Sequence, residues 1–329
     1  FMAEHEDSVT GQQAAVMEAM TSTDKNGKSI LSQYRDIFSM VEGKDDRDDV
    51  LVDTLQEGVS ALGLLAQSAG EKAGLDTKAG NKWRLRSTPL GEFRKSLDDL
   101  YISFLRWAVV TDAGGTGDSE RSKYNVSKAF RRFESYASWM NDAEDDLLEP
   151  PLTASSVARA YHAWQMRVSY DGKGRLLWWF DVGLTNFSQV KQLTPKDTVR
   201  FFTWFSHFVM FDDAAQTHGI AYVVNFAKIG LRPTVGLVPM QLWPKLDGLT
   251  IGVMPLHTME FLTMGDPVWY TVMITLLSPF LSRKLRARMV SLRDHTALVE
   301  MLGVECIPQG FSKCEGHFLR DPVEEQFFS

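Results

Sequence analysis

The chain has 329 residues, of which 44% are hydrophobic and 23% charged, and this balance is typical of a folded globular protein. Its net charge of −7 excludes nucleic-acid binding through bulk positive charge, so contact with an anionic surface needs a local basic patch. The two cysteines, Cys306 and Cys314, argue against a disulfide framework or a structural zinc site and favour a reducing, cytoplasmic setting. The acidic start and the absence of a run of ~20 apolar residues predict neither a signal peptide nor a transmembrane helix.

The N-terminal half reads as helical. Residues 2–46 are acidic and weakly periodic, which favours a mobile or loosely docked arm. Apolar residues recur at helical spacing in 47–73 and in 91–110, and a third helix is predicted to follow Asn125, a suitable N-cap.

Pro150-Pro151, after an acidic stretch, marks a boundary. We therefore predict three regions: a partly helical acidic extension over 2–82, a helical subdomain over 83–150 and a second domain over 151–329.

Short apolar runs alternate with helical segments in the second domain. Residues 175–182, 219–226, 258–264 and 286–292 are predicted strands. The helix after the first strand begins at Thr194 with a capping box, and others are predicted at 236–254 and 294–303. This alternation is typical of a mainly parallel sheet with crossover helices.

Residues 267–282 contain no charge, and the predicted helix 266–282 is apolar nearly all round. A helix on a sheet needs only one apolar stripe, so more protein, an internal apolar ligand or a membrane must cover its other face. A basic cluster follows at Arg283, Lys284, Arg286 and Arg288. These cations suit the dipole of a helix C-terminus, and they equally suit an anionic lipid surface.

Motifs of common enzymes are absent: the sequence has no GxSxG, GxGxxG, GxxxxGK[ST] or HExxH. The adjacent carboxylates Asp212 and Asp213 do not share a helix face, and His207 is interpreted as a satisfied core or surface residue. We therefore expect no enzyme activity, no metal and no cofactor other than a bound hydrophobic ligand.

Several segments carry a family resemblance through their order and spacing. In the helical subdomain they are Asp98–Arg106, Tyr124–Val126, Lys128–Phe130 and Trp139. In the second domain they are Asp171–Arg175, Gly219-Ile220, Val223–Gly230, Met254–Leu256, Asp266-Pro267 and Pro279–Ser282 with the basic residues that follow. Together, over roughly 90–320, they resemble the CRAL-TRIO family of lipid-binding and lipid-transfer proteins.

Three single positions depart from the family pattern, and its C-terminal signature survives only as Ile307-Pro308-Gln309-Gly310. Asn225 stands where the family has Asp, and Gly265 where it has Asn. Ser278 replaces a lysine that helps phosphoinositide-handling members to bind the headgroup, which weakens a phosphoinositide reading.

The resemblance implies an α/β fold: a mainly parallel sheet floors an apolar cavity, crossover helices enclose it, and an all-helical subdomain precedes it. Helix 266–282 would gate the cavity, and Arg283, Lys284, Arg286 and Arg288 would dock on membranes. The implied ligand-binding residues are Trp178, Phe180, Phe202, Phe205, Val209, Tyr222, Val224, Leu231, Val235, Phe261, Trp269, Met273, Leu276 and Leu277.

The function implied is a non-enzymatic, cytoplasmic carrier that exchanges one lipid, a phospholipid or an isoprenoid or tocopherol-like molecule, at membrane surfaces. Tyr222, Asn225, Ser206 and Thr203 are candidates to orient a small headgroup. The alternative is a lipid-responsive regulator or scaffold that meets a protein partner through 2–82. An enzyme on a similar sheet is the third and least favoured reading.

Overall fold

The protein is described here from a computed structural model. The residues described are 2–23, 26–42, 49–73, 90–93, 96–111, 122–142, 151–226, 242–265, 267–281, 283–311 and 321–328.

Helices dominate the fold around two small groups of strands. The helices are α1 (Met2–Thr21), α2 (Ile30–Glu42), α3 (Leu55–Ala73), α4 (Leu90–Phe93), α5 (Leu97–Trp107), α6 (Val126–Asp142), α7 (Ala154–Trp164), α8 (Phe187–Val190), α9 (Pro195–Phe211), α10 (Asp213–His218), α11 (Trp243–Asp247), α12 (Val268–Leu277), α13 (Arg283–Arg288), α14 (His295–Leu302) and α15 (Pro322–Phe327). The strands are β1 (Leu51–Val52), β2 (Val109–Thr111), β3 (Ser122–Asn125), β4 (Arg167–Tyr170), β5 (Leu176–Asp181), β6 (Ile220–Asn225), β7 (Thr258–Met264) and β8 (Met289–Leu292). A π-helical turn (Gly248–Val253) continues α11, and a 3-10 turn (Ser278–Phe280) continues α12.

The main sheet has the strand order β4-β5-β6-β7-β8. β4 pairs with β5 antiparallel, while β5, β6, β7 and β8 run parallel to one another. Helices α9, α11 and α12 lie in the successive connections between the parallel strands. The mixed α/β fold with a mainly parallel sheet is therefore confirmed.

A tight hairpin joins β4, which was not predicted, to β5. Asp171 accepts hydrogen bonds from the backbone N–H groups of Lys173 (3.0 Å) and Arg175 (2.9 Å). The Arg175 guanidinium then pairs with Asp171 at 2.8 Å and with Glu260 on β7 at 2.9 Å. These ion pairs connect the hairpin to β7, so the Asp171–Arg175 segment has a structural role.

Gly219, immediately before β6, has a φ of +83°, a conformation that favours glycine. A Cβ at this position would lie 2.7 Å from the carbonyl oxygen of His257. A larger residue would therefore separate β6 from the start of β7.

Two predicted helix starts are confirmed in atomic detail. Asn125 Oδ1 accepts the N–H of Lys128 at 2.8 Å, as an N-cap does. Thr194 and Asp197 form a reciprocal capping box at the start of α9.

The N-terminal part is mainly helical, but it also holds a small antiparallel sheet of order β1-β3-β2 that the sequence did not predict. We expected 2–46 to be a mobile or loosely docked arm. Instead α1 and α2 pack on the second domain, and both place side chains in its main apolar cluster. The helix predicted at 91–110 is divided into α4 and α5.

The strand predicted at 286–292 is wrong in its first half. Arg283–Arg288 is helical, and only Met289–Leu292 pairs with β7. Arginine, lysine, leucine and alanine are strong helix formers, so local propensity prevails until the apolar residues that follow. The helix predicted at 236–254 is observed as α11 with its π-helical turn; residues 236–241 lie outside the described residues.

Candidate functional site

The two faces of the main sheet differ in how completely they are covered. On the outer face, Leu177, Ala221, Val223 and Leu262 are fully buried. Their cluster is closed by α14 and by the segment around Ile307. The inner face, by contrast, carries aromatic residues that retain accessible surface: Phe180, Tyr222 and Phe261.

Strand register places three inner-face aromatic residues side by side. Trp178 pairs with Tyr222, and Tyr222 pairs with Phe261. Their ring centroids are 5.2 Å apart for the first pair and 5.7 Å for the second. A continuous aromatic row therefore crosses β5, β6 and β7.

Helix α9 lies over this aromatic row. Phe205 contacts Trp178 with ring centroids 4.8 Å apart, and Phe202 contacts Trp164 at 5.5 Å. Val209 is fully buried one turn further on. The i, i+3 and i+7 spacing places these side chains on one face of the helix.

Helix α12 approaches the same cluster beyond the end of β6. Trp269, Tyr270 and Met273 are buried. Phe226, which follows β6, has its ring centroid 5.5 Å from that of Trp269 and 4.4 Å from that of Tyr270. The charge-free helix is therefore attached to the sheet by aromatic contacts.

The described members of the predicted binding set all belong to one apolar cluster. Seven are buried and five are partly buried against them: Trp178, Phe205, Val209, Val224, Trp269, Met273 and Leu277, then Phe180, Phe202, Tyr222, Phe261 and Leu276. The other two, Leu231 and Val235, lie outside the described residues. The structure brings the set together, and its role in ligand binding stays a prediction.

Two hydroxyl groups in this cluster are buried without a hydrogen-bond partner, those of Ser206 and Tyr222. The Tyr222 hydroxyl lies near Thr250 and Thr258 without forming a hydrogen bond of acceptable geometry, and burial raises its pKa. An unpartnered hydroxyl in a buried site is costly, and a ligand that accepts or donates one hydrogen bond would remove this cost.

The other two headgroup candidates are already engaged. The Thr203 hydroxyl donates to the carbonyl oxygen of Val199 at 2.7 Å. Asn225 points to the outer face, where its amide donates to Asp181 at 2.9 Å. Neither side chain is therefore placed to orient a ligand on the inner face.

His207 is a satisfied core residue, as its sequence context indicated. One ring nitrogen bonds the carbonyl oxygen of Thr203 at 2.7 Å and the other bonds the hydroxyl of Tyr136 on α6 at 2.8 Å. Because a carbonyl can only accept, Nδ1 carries the proton and Tyr136 donates to Nε2. Burial lowers the pKa of His207 to about 4, so the ring is neutral and fastens α9 to α6.

Arg132 on α6 makes a second buried polar contact, which no sequence pattern indicated. Its guanidinium donates to the carbonyl oxygens of Met254, at 2.8 Å and 3.1 Å, and of Ile251. It also lies 4.7 Å from the ring centroid of Trp107. Burial lowers its pKa to about 9. Arg132 thus fixes the π-helical turn to the helical subdomain.

The basic cluster follows α12 on α13. Arg283 and Arg286 are exposed and Arg288 is partly exposed, while the side chain of Lys284 lies outside the described residues. Arg286 donates to the carbonyl oxygen of Ser278 at 3.4 Å. These positive charges are therefore presented to solvent beside the charge-free helix.

The part of the chain that the structure describes contains no group of three or more potential metal ligands, and none of its helices has the length and apolar character to span a bilayer. A cleft of about 170 Å³ lies on the outer side of the sheet, lined in part by Arg167, Trp179 and Phe311. It is smaller than the ~300–1,000 Å³ of typical ligand pockets.

Comparison with known proteins agrees with this arrangement. Residues 164–312 match the model of the CRAL/TRIO domain, a span that includes the main sheet and α12. The chain carries a CRAL/TRIO domain. Proteins of this family generally bind or transfer lipids and are generally not enzymes, so the domain indicates a lipid-binding protein in general terms.

One solved structure similar to this chain is titled "Crystal structure of Sfh5". The two are 12% identical with a TM-score of 0.41, and the match covers 62% of this chain and 72% of that one. No curated protein matches the sequence.

Proposed function

We propose that this protein binds one hydrophobic lipid against the inner face of its CRAL/TRIO sheet, beneath α12, and exchanges it at membrane surfaces. The observation that carries the proposal is the contrast between the two faces. Leu177, Ala221, Val223 and Leu262 on the outer face are fully buried, whereas Phe180, Tyr222 and Phe261 on the inner face keep accessible apolar surface. A lipid placed there would bury that surface and gain the hydrophobic free energy.

The energetics suit a carrier. A ligand that buries ~400–600 Å² of apolar area gains roughly 10–15 kcal/mol gross, less the cost of association. Solvation of the same lipid in a bilayer is of similar size, so extraction and release would be nearly balanced.

The polar groups of the site favour a lipid with a small neutral head. Ser206 and Tyr222 offer hydroxyls, which recognise a hydroxyl or carbonyl group. The buried cation nearby, Arg132, is already engaged by backbone carbonyls. Together with Ser278 in place of lysine, this favours an isoprenoid or tocopherol-like ligand over a phosphoinositide.

Membrane contact is proposed to involve α12 and the cations that follow it. An apolar helix flanked by exposed arginines is typical of a peripheral protein on an anionic surface. Arg283 and Arg286 have the required exposure. In this proposal the protein is cytoplasmic and visits membranes only transiently.

A paired substitution tests the proposal. Trp269→Ala with Met273→Ala removes two buried α12 side chains at the predicted site, and we expect it to slow lipid exchange between vesicles more than it lowers the melting temperature. The matched control is Val223→Ala with Leu262→Ala on the outer face, which should lower the melting temperature and spare exchange by the remaining folded protein. An equal effect of the two pairs on exchange would show that Trp269 and Met273 are ordinary core residues.

A second candidate function is a lipid-responsive regulator that acts through the N-terminal extension. It is favoured by the packing of α1 and α2 against α12, because this contact could report ligand binding to the N-terminal segment. Amide hydrogen exchange of 2–42, measured with and without bound lipid, separates the two candidates. A regulator should change protection there, whereas a simple carrier should not.

A further inference from the structure

Helices α1 and α2 pack on the part of the domain that the proposed function requires to move. α1 contacts α12, while α2 contacts α11, the π-helical turn, α12 and the 3-10 turn that follows it. We call α1 and α2 together the N-terminal cap. Its buried apolar side chains all join the cluster that holds the proposed lipid site: Val16, Met20, Ile30, Tyr34, Ile37 and Phe38.

Ile37 of the cap packs against two glycines of the π-helical turn. Gly248 and Gly252 lie four residues apart in the π-helical turn, so both face the same neighbour. A Cβ at Gly248 would lie 3.3 Å from Ile37 Cδ1, and one at Gly252 would lie 4.0 Å from Ile37 Cγ2. Ile37 therefore sits over a notch that the two glycines leave open.

A polar contact adds to this fit. The Tyr34 hydroxyl on α2 donates to the Asp247 carboxylate at the end of α11. Burial raises the pKa of both groups, and that of Asp247 rises to about 6. The cap thus makes a directional bond with the end of α11 and packs against the π-helical turn that follows it.

The described side chains of α1 are divided between buried and exposed positions. Among its described side chains, Val16 and Met20 are buried, whereas Met17 and Glu18 are exposed. Isolated helices are marginal without tertiary contacts, so the cap can detach if its buried apolar side chains are offered another apolar environment. A membrane surface is such an environment.

We propose that the N-terminal cap is an autoinhibitory strap: it occupies the surface by which α12 and its neighbours would reach a membrane, and it must detach before the protein docks. This inference rests on the proposed function, because it treats α12 as the element that meets the membrane. It also answers the question raised by a helix that is apolar nearly all round. Part of this helix is covered by more protein, namely α1 and α2.

Substitutions in the full chain test the strap. Val16→Asp and Ile37→Asp place a charge where the cap is buried, and the matched control Met17→Asp changes the adjacent, exposed position on α1. The readout is co-sedimentation with vesicles of phosphatidylcholine and phosphatidylserine. The apparent affinity for vesicles rises with the fraction of molecules whose cap is detached. We therefore expect Val16→Asp and Ile37→Asp to bind about tenfold more tightly and Met17→Asp to match the unaltered chain. Equal binding by all four proteins would overturn the proposal.

A reversible lock provides the opposite test in a Cys314→Ser background. Ile37→Cys with Gly252→Cys places two thiols across the notch, because a Cβ at position 252 would lie 4.0 Å from Ile37 Cγ2. The oxidised protein should lose vesicle binding and recover it on reduction; unchanged binding on oxidation would contradict the strap. Transfer of a fluorescent lipid, measured in parallel, separates the two proposals. Variants that bind vesicles more tightly but, like the unaltered chain, transfer no lipid would refute the carrier function and leave the strap intact.

Discussion

The two faces of one sheet show how differently the same strands can be covered. On β7, Leu262 is fully buried on the outer face, whereas its neighbour Phe261 keeps accessible surface on the inner face. The outer face is closed by α14 and the chain around Ile307, which are continuous with β8. The inner face is covered by separate helices. A surface closed by separate helices can open, and this difference is why the lipid site is assigned to the inner face.

The largest expected effect is on the free energy of unfolding, when Leu262 and Phe261 are each replaced by alanine. Leu262→Ala should lower the free energy of unfolding by about 3 kcal/mol, because it leaves a cavity in a sealed cluster. Phe261→Ala should cost less than Leu262→Ala despite its larger side chain, because part of the ring is already accessible. Chemical denaturation measures both values, and a greater loss for Phe261→Ala would show that the inner face is as closed as the outer face.

The attachment of α9, the helix over the inner face, can also be tested through the pH dependence of stability. His207 has a pKa of about 4 in the folded protein, below its ordinary 6.5, so it contributes stability above pH 6.5 that is lost as the pH falls toward 4. The loss should reach about 3 kcal/mol. Asp247 and Asp321, whose pKa values are raised to about 6, act in the opposite direction, since their burial costs less once they are protonated.

His207→Gln isolates the histidine from these carboxylates. The stability advantage of the unaltered chain over this variant should shrink as the pH falls from neutrality to about 4. Denaturation curves at several pH values provide the measurement. A difference that stays constant with pH would mean that the His207–Tyr136 contact does not hold α9 to α6 in a neutral form.

The smallest expected effect is on stability, when either of two hydroxyl groups on α9 is removed. Ser206→Ala removes an unpartnered group and should stabilise the lipid-free protein by about 1 kcal/mol, whereas Thr203→Ala removes a satisfied hydrogen bond and should destabilise it by about 1 kcal/mol. If Ser206 binds the lipid head, Ser206→Ala should also weaken lipid retention. Melting temperatures and lipid retention together check the pair, and destabilisation by Ser206→Ala would indicate a hydrogen bond that the lipid-free protein already makes.

Local sequence patterns predicted the elements that are stabilised by contacts between residues close together in the chain. The capping box at Thr194 and the N-cap at Asn125 were identified because they involve residues only three positions apart. β7 was predicted with its observed bounds, 258–264, since its apolar run is flanked by turn residues. The two-residue strand β1 gave no comparable signal, because its pairing partner, β3, lies far along the chain.

The docking of the N-terminal cap was not predicted from the sequence. Ile30, Tyr34, Ile37 and Phe38 recur at i, i+4, i+7 and i+8, a helical stripe that was present in the sequence but diluted by the polar residues around it. Its docking depends on Gly248 and Gly252, more than 200 positions away, and no local pattern specifies such a contact. For the site, apolar type and strand parity identified the inner-face residues, whereas the engagement of Thr203 and Asn225 required coordinates.

Native mass spectrometry of the purified protein, with extraction and identification of any bound lipid, shows whether the inner face houses a lipid. We expect one lipid per chain, lost when Trp269→Ala and Met273→Ala are combined and retained in Leu262→Ala. A protein that stays at the mass of its sequence, both as purified and after incubation with lipid vesicles, would contradict the claim that the inner face houses a lipid.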